Sequence, residues 1–135
     1  MKKTVLFVCV ENAGRSQMAE GFFRKYAPAG YSAVSAGSRP VGQVNSVAIE
    51  AMKEVGIDIG VQKTKMITEE MVRESVKAVN MGCMDKAGCP MLFISNVVDW
   101  GMEDPKGKPI ERVRQIRDEI ERRVQGLVAD LEKSS

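Results

Sequence analysis

Apolar positions along the chain fall into two recurring patterns, short unbroken runs and stripes at helical spacing. Thr4-Val5-Leu6-Phe7-Val8 is a continuous β-branched and apolar run, the composition of a strand buried on both faces of a parallel sheet. From Ser16 the spacing changes, and Met18, Ala19, Phe22, Phe23 and Tyr26 form one face of a helix that Pro28 and Gly30 interrupt. Tyr31 to Gly37 reads as a second short strand, and Gly37 to Gly42 as loop. Asn45 or Ser46 can cap a helix carrying Ala48, Met52 and Val55 on one face, with Gly56 as its stop. Ile57 to Met66 is irregular. Thr68 followed by Glu69 and Glu70 opens a short helix.

Lys77 to Met81 is the third predicted strand, ending before Gly82, and Cys83 to Pro90 is a loop rich in turn residues. Met91 to Ile94 has strand composition, but Asn96 to Trp100 precedes a cleaner turn and is taken as the fourth strand. Gly101 to Lys108 is loop. From Pro109 onward Ile110, Val113, Ile116, Ile120, Val124, Leu127, Val128 and Leu131 mark one long amphipathic helix. Asp118–Arg122 and Glu119–Arg123 are spaced for surface pairs, and that charge run reads as a solvated face.

Strands alternating with helices predict an α/β fold of three layers, a four-stranded parallel sheet flanked by helices, whose ligands gather beyond the carboxyl ends of the strands. Cys9, Cys83 and Asp104 each follow a predicted strand, so all three are expected at one sheet edge. At 135 residues the chain makes a single domain, 1–135, with a core that needs no staples. The net charge of +2 is scattered among acids, which argues against nucleic-acid binding. No apolar stretch approaches the roughly 18 residues of a membrane span, and Met1-Lys2-Lys3 runs into a strand without a cleavage site. A soluble, cytoplasmic protein, off the membrane and monomeric, is the expectation. Three cysteines make a poor static disulfide framework and point to reduced thiols. The chain contains no histidine, so Ser-His-Asp and Cys-His mechanisms are excluded, and a general acid must be a carboxylic acid, Lys, Tyr or Cys.

The candidate chemistry lies in Cys9-Val10-Glu11-Asn12-Ala13-Gly14-Arg15-Ser16, between the first strand and the first helix. A loop bent onto a helix N-terminus turns backbone N–H groups inward, and with the helix dipole they cradle a tetrahedral oxyanion. Arg15 adds a planar fork able to clamp two oxygens. The same field favours the nucleophilic thiolate form of Cys9. Cys83 and Cys89, with five residues between them, are too widely spaced for a Cys-x-x-Cys motif and lack the partners of a zinc site. They are either buried thiols or, with Cys9 at the same edge, a thiol relay.

Cys9 to Ser16, followed by Gln17-Met18-Ala19-Glu20-Gly21-Phe22, resembles the signature loop and first helix of the low-molecular-weight protein tyrosine phosphatases and their relatives, the thioredoxin-coupled arsenate reductases. The likeness to the second group is nearly chain-long. It implies a Cys9 nucleophile, an oxyanion cradle over Glu11, Asn12, Ala13, Gly14, Arg15 and Ser16, a loop shaped by Asn12, and a Ser16 hydroxyl bonded to the thiolate. Trp100-Gly101-Met102-Glu103-Asp104-Pro105 is similar to a segment of those reductases, and in phosphatase relatives an aspartate before proline is the general acid. This implies that role for Asp104, with Glu103 as the competitor. Read alone, Asp104-Pro105 would only open a turn.

The resemblance further implies reduction of arsenate to arsenite by a Cys9, Cys83 and Cys89 relay recharged by thioredoxin or a similar reductant, with no metal or organic cofactor. The alternative is a phosphomonoester hydrolase acting through a Cys9 phospho-intermediate, and a third reading is an idle oxyanion-binding module. Four departures stand out. Glu11 occupies a position where many phosphatases have glycine, Lys106 follows the proline where a tyrosine is common, and the Cys83–Cys89 segment is one residue short. Related reductases can hold potassium near the loop at positions matching Asn12, Glu20, Ser35 and Lys65. The lysine stands in place of an aspartate, and its ammonium is expected to replace the ion by bonding Glu20. Trp100 is expected in the core or pocket wall, and the methionines in packing.

Overall fold

A computed structural model describes residues 3–82 and 97–134. Its elements are β1 (Lys3–Cys9), α1 (Arg15–Tyr26), β2 (Tyr31–Gly37), α2 (Ser46–Lys53), α3 (Glu69–Glu74), β3 (Ser75–Asn80), β4 (Val97–Asp99) and α4 (Ile110–Ser134), with a single 3₁₀ turn at Ile59–Val61. The four strands lie in the order β2-β1-β3-β4, and every pairing is parallel. This is the predicted sheet, with β1 in its interior.

The side-chain period of two explains the layering. Val5 and Phe7 face a large core shared with Met18, Phe22 and Phe23 of α1, Met52 of α2, and Val113, Ile116, Ile120 and Val124 of α4. Leu6 and Val8 face the opposite way, onto Ala36, Ile67, Val72 and Ala78 under α3. A strand with helices on both sides has no polar face, so its sequence does not alternate.

The caps follow their side chains. Asn45 accepts from the N–H groups of Val47 and Ala48, and Thr68 from that of Met71. Residues 57–66, expected to be irregular, contain the 3₁₀ turn and a parallel bridge between Met66 and Gly37 that extends the sheet beyond β2. Two expectations need correction. Arg122 pairs with Glu119, and Asp118 pairs with Arg117 instead of Arg122; Glu119–Arg123 does form. Nor is the α4 charge run wholly solvated. Arg117 follows Ile116 and precedes Ile120 by three residues, which turns it toward α2. It is buried, donating to the Ala51 carbonyl and to Glu54. Cys83, Cys89 and the alternative strand Met91–Ile94 lie outside the described residues.

Candidate active site

Cys9 is the last residue of β1 and is 2% exposed. Its Sγ lies 2.9 Å from Ser16 Oγ, in the first turn of α1. The direction of that bond follows from the partners behind it. The Lys65 backbone N–H can only donate, and it donates to Asn12 Oδ1 at 2.8 Å. This leaves Asn12 Nδ2 to donate to Ser16 Oγ at 2.8 Å. The Ser16 hydroxyl therefore accepts from Asn12 and turns its own proton toward the sulfur, the arrangement that suits a thiolate.

Asn12 has φ +53°, in the left-handed region where asparagine is among the few side chains tolerated. Gln17, fully buried, fixes that turn by donating from Nε2 to the carbonyls of Asn12 and Lys63. The backbone N–H groups of residues 11–14 donate to no carbonyl among the described residues. They remain available to an anion, as the bent loop predicts.

Arg15 opens α1 and is buried. Its Nη1 donates to the carbonyls of Met81 at 3.0 Å and Met102 at 3.1 Å, groups that follow β3 and β4. Nη2 stands 3.7 Å from Asp104 Oδ2. Nε is buried without a partner among the described residues, so the guanidinium retains a donor for a ligand oxygen. Gly82 makes room for it: φ is +129°, and an added Cβ would lie 1.9 Å from Arg15 Nη1. Sequence reasoning noted Gly82 only as a strand end, Asn45 only as a helix cap and Gln17 only as part of the matched first helix, and gave none of them a place in the site. The usable signal for Gly82 was a glycine directly after β3, where an open α/β sheet places its site.

Asp104 is half exposed, and its Oδ1 accepts from the Lys106 N–H in an Asx turn. Glu103, the competing acid, accepts from Arg112 Nε through both oxygens at 3.0 and 3.1 Å. The Arg112 hydrogen bonds and charge, with a smaller contribution from Lys108, hold its carboxyl below the usual carboxylate range, which makes it a poor proton donor. Glu11 points to the mouth of the cleft and pairs with Lys106 Nζ at 2.8 Å; that bond raises the Lys106 pKa. Cys9, Ala13, Gly14, Arg15, Asn45, Asp104 and Pro105 line the rest of a cleft of about 10 Å³, room for about one water. Trp100 is buried core, its ring 6.1 Å from that of Phe7.

Beneath the loop, the buried Glu20 accepts from Ser35 Oγ at 2.6 Å and pairs with Arg24 at 2.7 Å. The expected Lys65–Glu20 hydrogen bond is not formed. Lys65 Nζ donates instead to the Lys63 carbonyl at 2.6 Å, because Arg24, one helical turn after Glu20, already serves the outer oxygen. Burial lowers the Lys65 pKa, opposed by the charge of Glu20. The support that Lys65 gives the loop runs through its backbone N–H to Asn12.

Together, a parallel α/β sheet, a thiol at the end of an interior strand and an anion-ready loop closed by an arginine define a protein built to hold a tetrahedral oxyanion against a cysteine. The family model described as low molecular weight phosphotyrosine protein phosphatase matches residues 4–135, and the chain belongs to that family. It is 40% identical over 120 residues to an arsenate reductase of Staphylococcus aureus (strain Newman), an alignment covering 88% of this chain and 91% of that one. A thioredoxin-dependent arsenate reductase of Corynebacterium glutamicum superposes with a TM-score of 0.83 at 32% identity, over 99% of this chain and 64% of that one. An arginine phosphatase from Geobacillus stearothermophilus does so with a TM-score of 0.87 at 25% identity, over 98% and 94% of the two chains.

Proposed function

We propose that this protein reduces arsenate to arsenite with electrons from thioredoxin or a similar dithiol. The Cys9 thiolate attacks arsenic held by the loop N–H groups and Arg15, and Asp104 protonates the departing oxygen, which leaves as water. Cys83 then attacks the Cys9 sulfur. The sulfur–arsenic bond breaks, its electron pair stays on arsenic, and arsenite leaves behind a Cys9–Cys83 disulfide. Cys89 attacks Cys83, and thioredoxin reduces the resulting Cys83–Cys89 disulfide. No step requires a metal or organic cofactor. A reducing compartment suits a relay of three cysteines, so the proposal includes a cytoplasmic enzyme, and it takes the chain to act as a monomer. Among the described residues no helix is long and apolar enough to cross a membrane.

The observation that carries this reading is the Asn12–Ser16–Cys9 hydrogen-bond chain beside Arg15, which aims a hydroxyl proton at the sulfur and sets it beside an anion-binding guanidinium without any histidine. Cys83 and Cys89, and the similarity to reductases, favour reduction over phosphoester hydrolysis. The test is arsenate turnover with thioredoxin, thioredoxin reductase and NADPH, run beside hydrolysis of p-nitrophenyl phosphate. Cys89→Ser should complete about one turnover and stall as a Cys9–Cys83 disulfide visible by mass spectrometry, and Cys83→Ser should release no arsenite. Normal cycling of both variants would transfer the site to the phosphatase reading.

A further inference from the structure

Glu11 and Lys106 stand 95 residues apart in sequence and meet at 2.8 Å across the mouth of the cleft. The loop bearing Lys106 is fastened to the Cys9 loop at three points. Asp104 faces Arg15 at 3.7 Å. Pro105 rides on Gly14 so closely that a Cβ there would sit 2.9 Å from the proline Cγ. Lys106 makes the outermost fastening, and its side chain is 62% exposed against 30% for Glu11. Under this strap Cys9 is buried, with space for little more than a water.

No anion can reach the sulfur unless the strap lifts. Over a free tetrahedral anion Glu11 and Lys106 can meet again once Asp104 and Pro105 have moved outward to make room for it, whereas an organic substituent on the anion would project through the mouth that the ion pair spans. We propose that Glu11 and Lys106 form a charge latch that holds the 104–106 strap shut over Cys9 and selects inorganic oxyanions over organic phosphoesters. The inference rests on the oxyanion reading of the cleft and not on which anion is turned over. A solvated ion pair biases such an equilibrium only roughly two- to five-fold, a catch that thermal motion opens in every turnover. Glu11 would otherwise repel an entering anion, and the latch neutralises it.

The test follows alkylation of Cys9 by neutral iodoacetamide, quantified on the Cys9 peptide by mass spectrometry, in the unmodified protein, Lys106→Met, Glu11→Gln and the exchanged pair Glu11→Lys/Lys106→Glu. If the latch controls access, both single variants alkylate about two- to five-fold faster, and the exchanged pair returns toward the slow rate. Raising salt to about 0.5 M, where the Debye length falls to a few ångströms, speeds the unmodified protein and leaves the single variants unchanged. A field effect on the sulfur alone would move the two single variants in opposite directions, and that result overturns the latch. For selectivity, protection of Cys9 by phenyl phosphate is compared with protection by inorganic phosphate; the ratio should rise in both single variants, and an unchanged ratio overturns the selection. Absence of arsenate turnover alongside the expected alkylation pattern would sink the proposed reaction and leave the latch standing. Normal turnover with unresponsive alkylation would do the reverse.

Discussion

Asn12 shows how much chemistry one side chain can carry. A left-handed backbone, a donor aimed at Ser16 and an acceptor taken by Lys65 all meet there. Asn12→Asp keeps the turn and the acceptor but removes the donor, so the Ser16 proton is drawn to the new carboxylate and away from the sulfur. Turnover should fall on the order of ten-fold or more because the sulfur loses its donor, and the melting temperature should fall as well because a carboxylate is enclosed where Asn12 is fully buried; kcat and a thermal melt read the two effects. Arg15→Lys should lose about 10²–10³ in kcat/KM, because a point charge cannot reproduce a fork anchored on two carbonyls. Gly82→Ala should resemble it, by pushing the guanidinium away. These residues differ in how readable they were. Cys9, Arg15, Asn12 and Ser16 are local to one loop, so their spacing carried their chemistry. Glu11 and Lys106 each stood out as departures, but nothing in a linear string brings positions 95 apart together. The position of Lys65 Nζ was misjudged because sequence gives charges without rotamers, and Arg24 had the shorter reach to Glu20.

Strands and helices were legible where apolar periodicity was strong. β1 and α4 reproduce the predicted runs, and β4, described over Val97–Asp99, ends one residue before the predicted Trp100. The error on α4 was to read every charge as solvated. Arg117 and Arg114 instead converge on Glu54, just past α2, at 2.8 and 2.7 Å, tying α2 to α4. The Arg114 hydrogen bonds foremost, then those of Arg117, push the Glu54 carboxyl from 4.5 down to about 2. A carboxylate depressed in the folded state stabilises it above the ordinary value and loses that contribution as pH falls. The clamp is therefore fully present above pH 4.5 and disappears between there and about pH 2. Glu54→Gln should lower the melting temperature at neutral pH and flatten its decline over that acid window, as thermal melts across pH would show. Ile120→Ala, at a fully buried position under the sheet, should cost about 2–5 kcal/mol in urea denaturation.

The whole molecule follows from strand order. With every strand parallel and β1 beside β3, the ends of β1, β3 and β4 open at one edge, which is why Arg15 reaches carbonyls after both later strands. That convergence was deducible from alternation of strand and helix alone. The sequence could not supply the closeness of the fit, which depends on a proline seated on a glycine and a strap tied by one ion pair. On the proposed reading the cradle offers an anion backbone N–H groups and a guanidinium, and these, among the described residues, answer to negative charge and tetrahedral shape and not to the element at the anion's centre. Phosphate must therefore enter wherever arsenate does, and the two part company only afterwards, because phosphorus will not take up the electron pair. If the proposed reaction holds, phosphate in the surrounding solution would then act as a standing competitor, so the rate of arsenate reduction would depend on the phosphate present as much as on the enzyme's own constants.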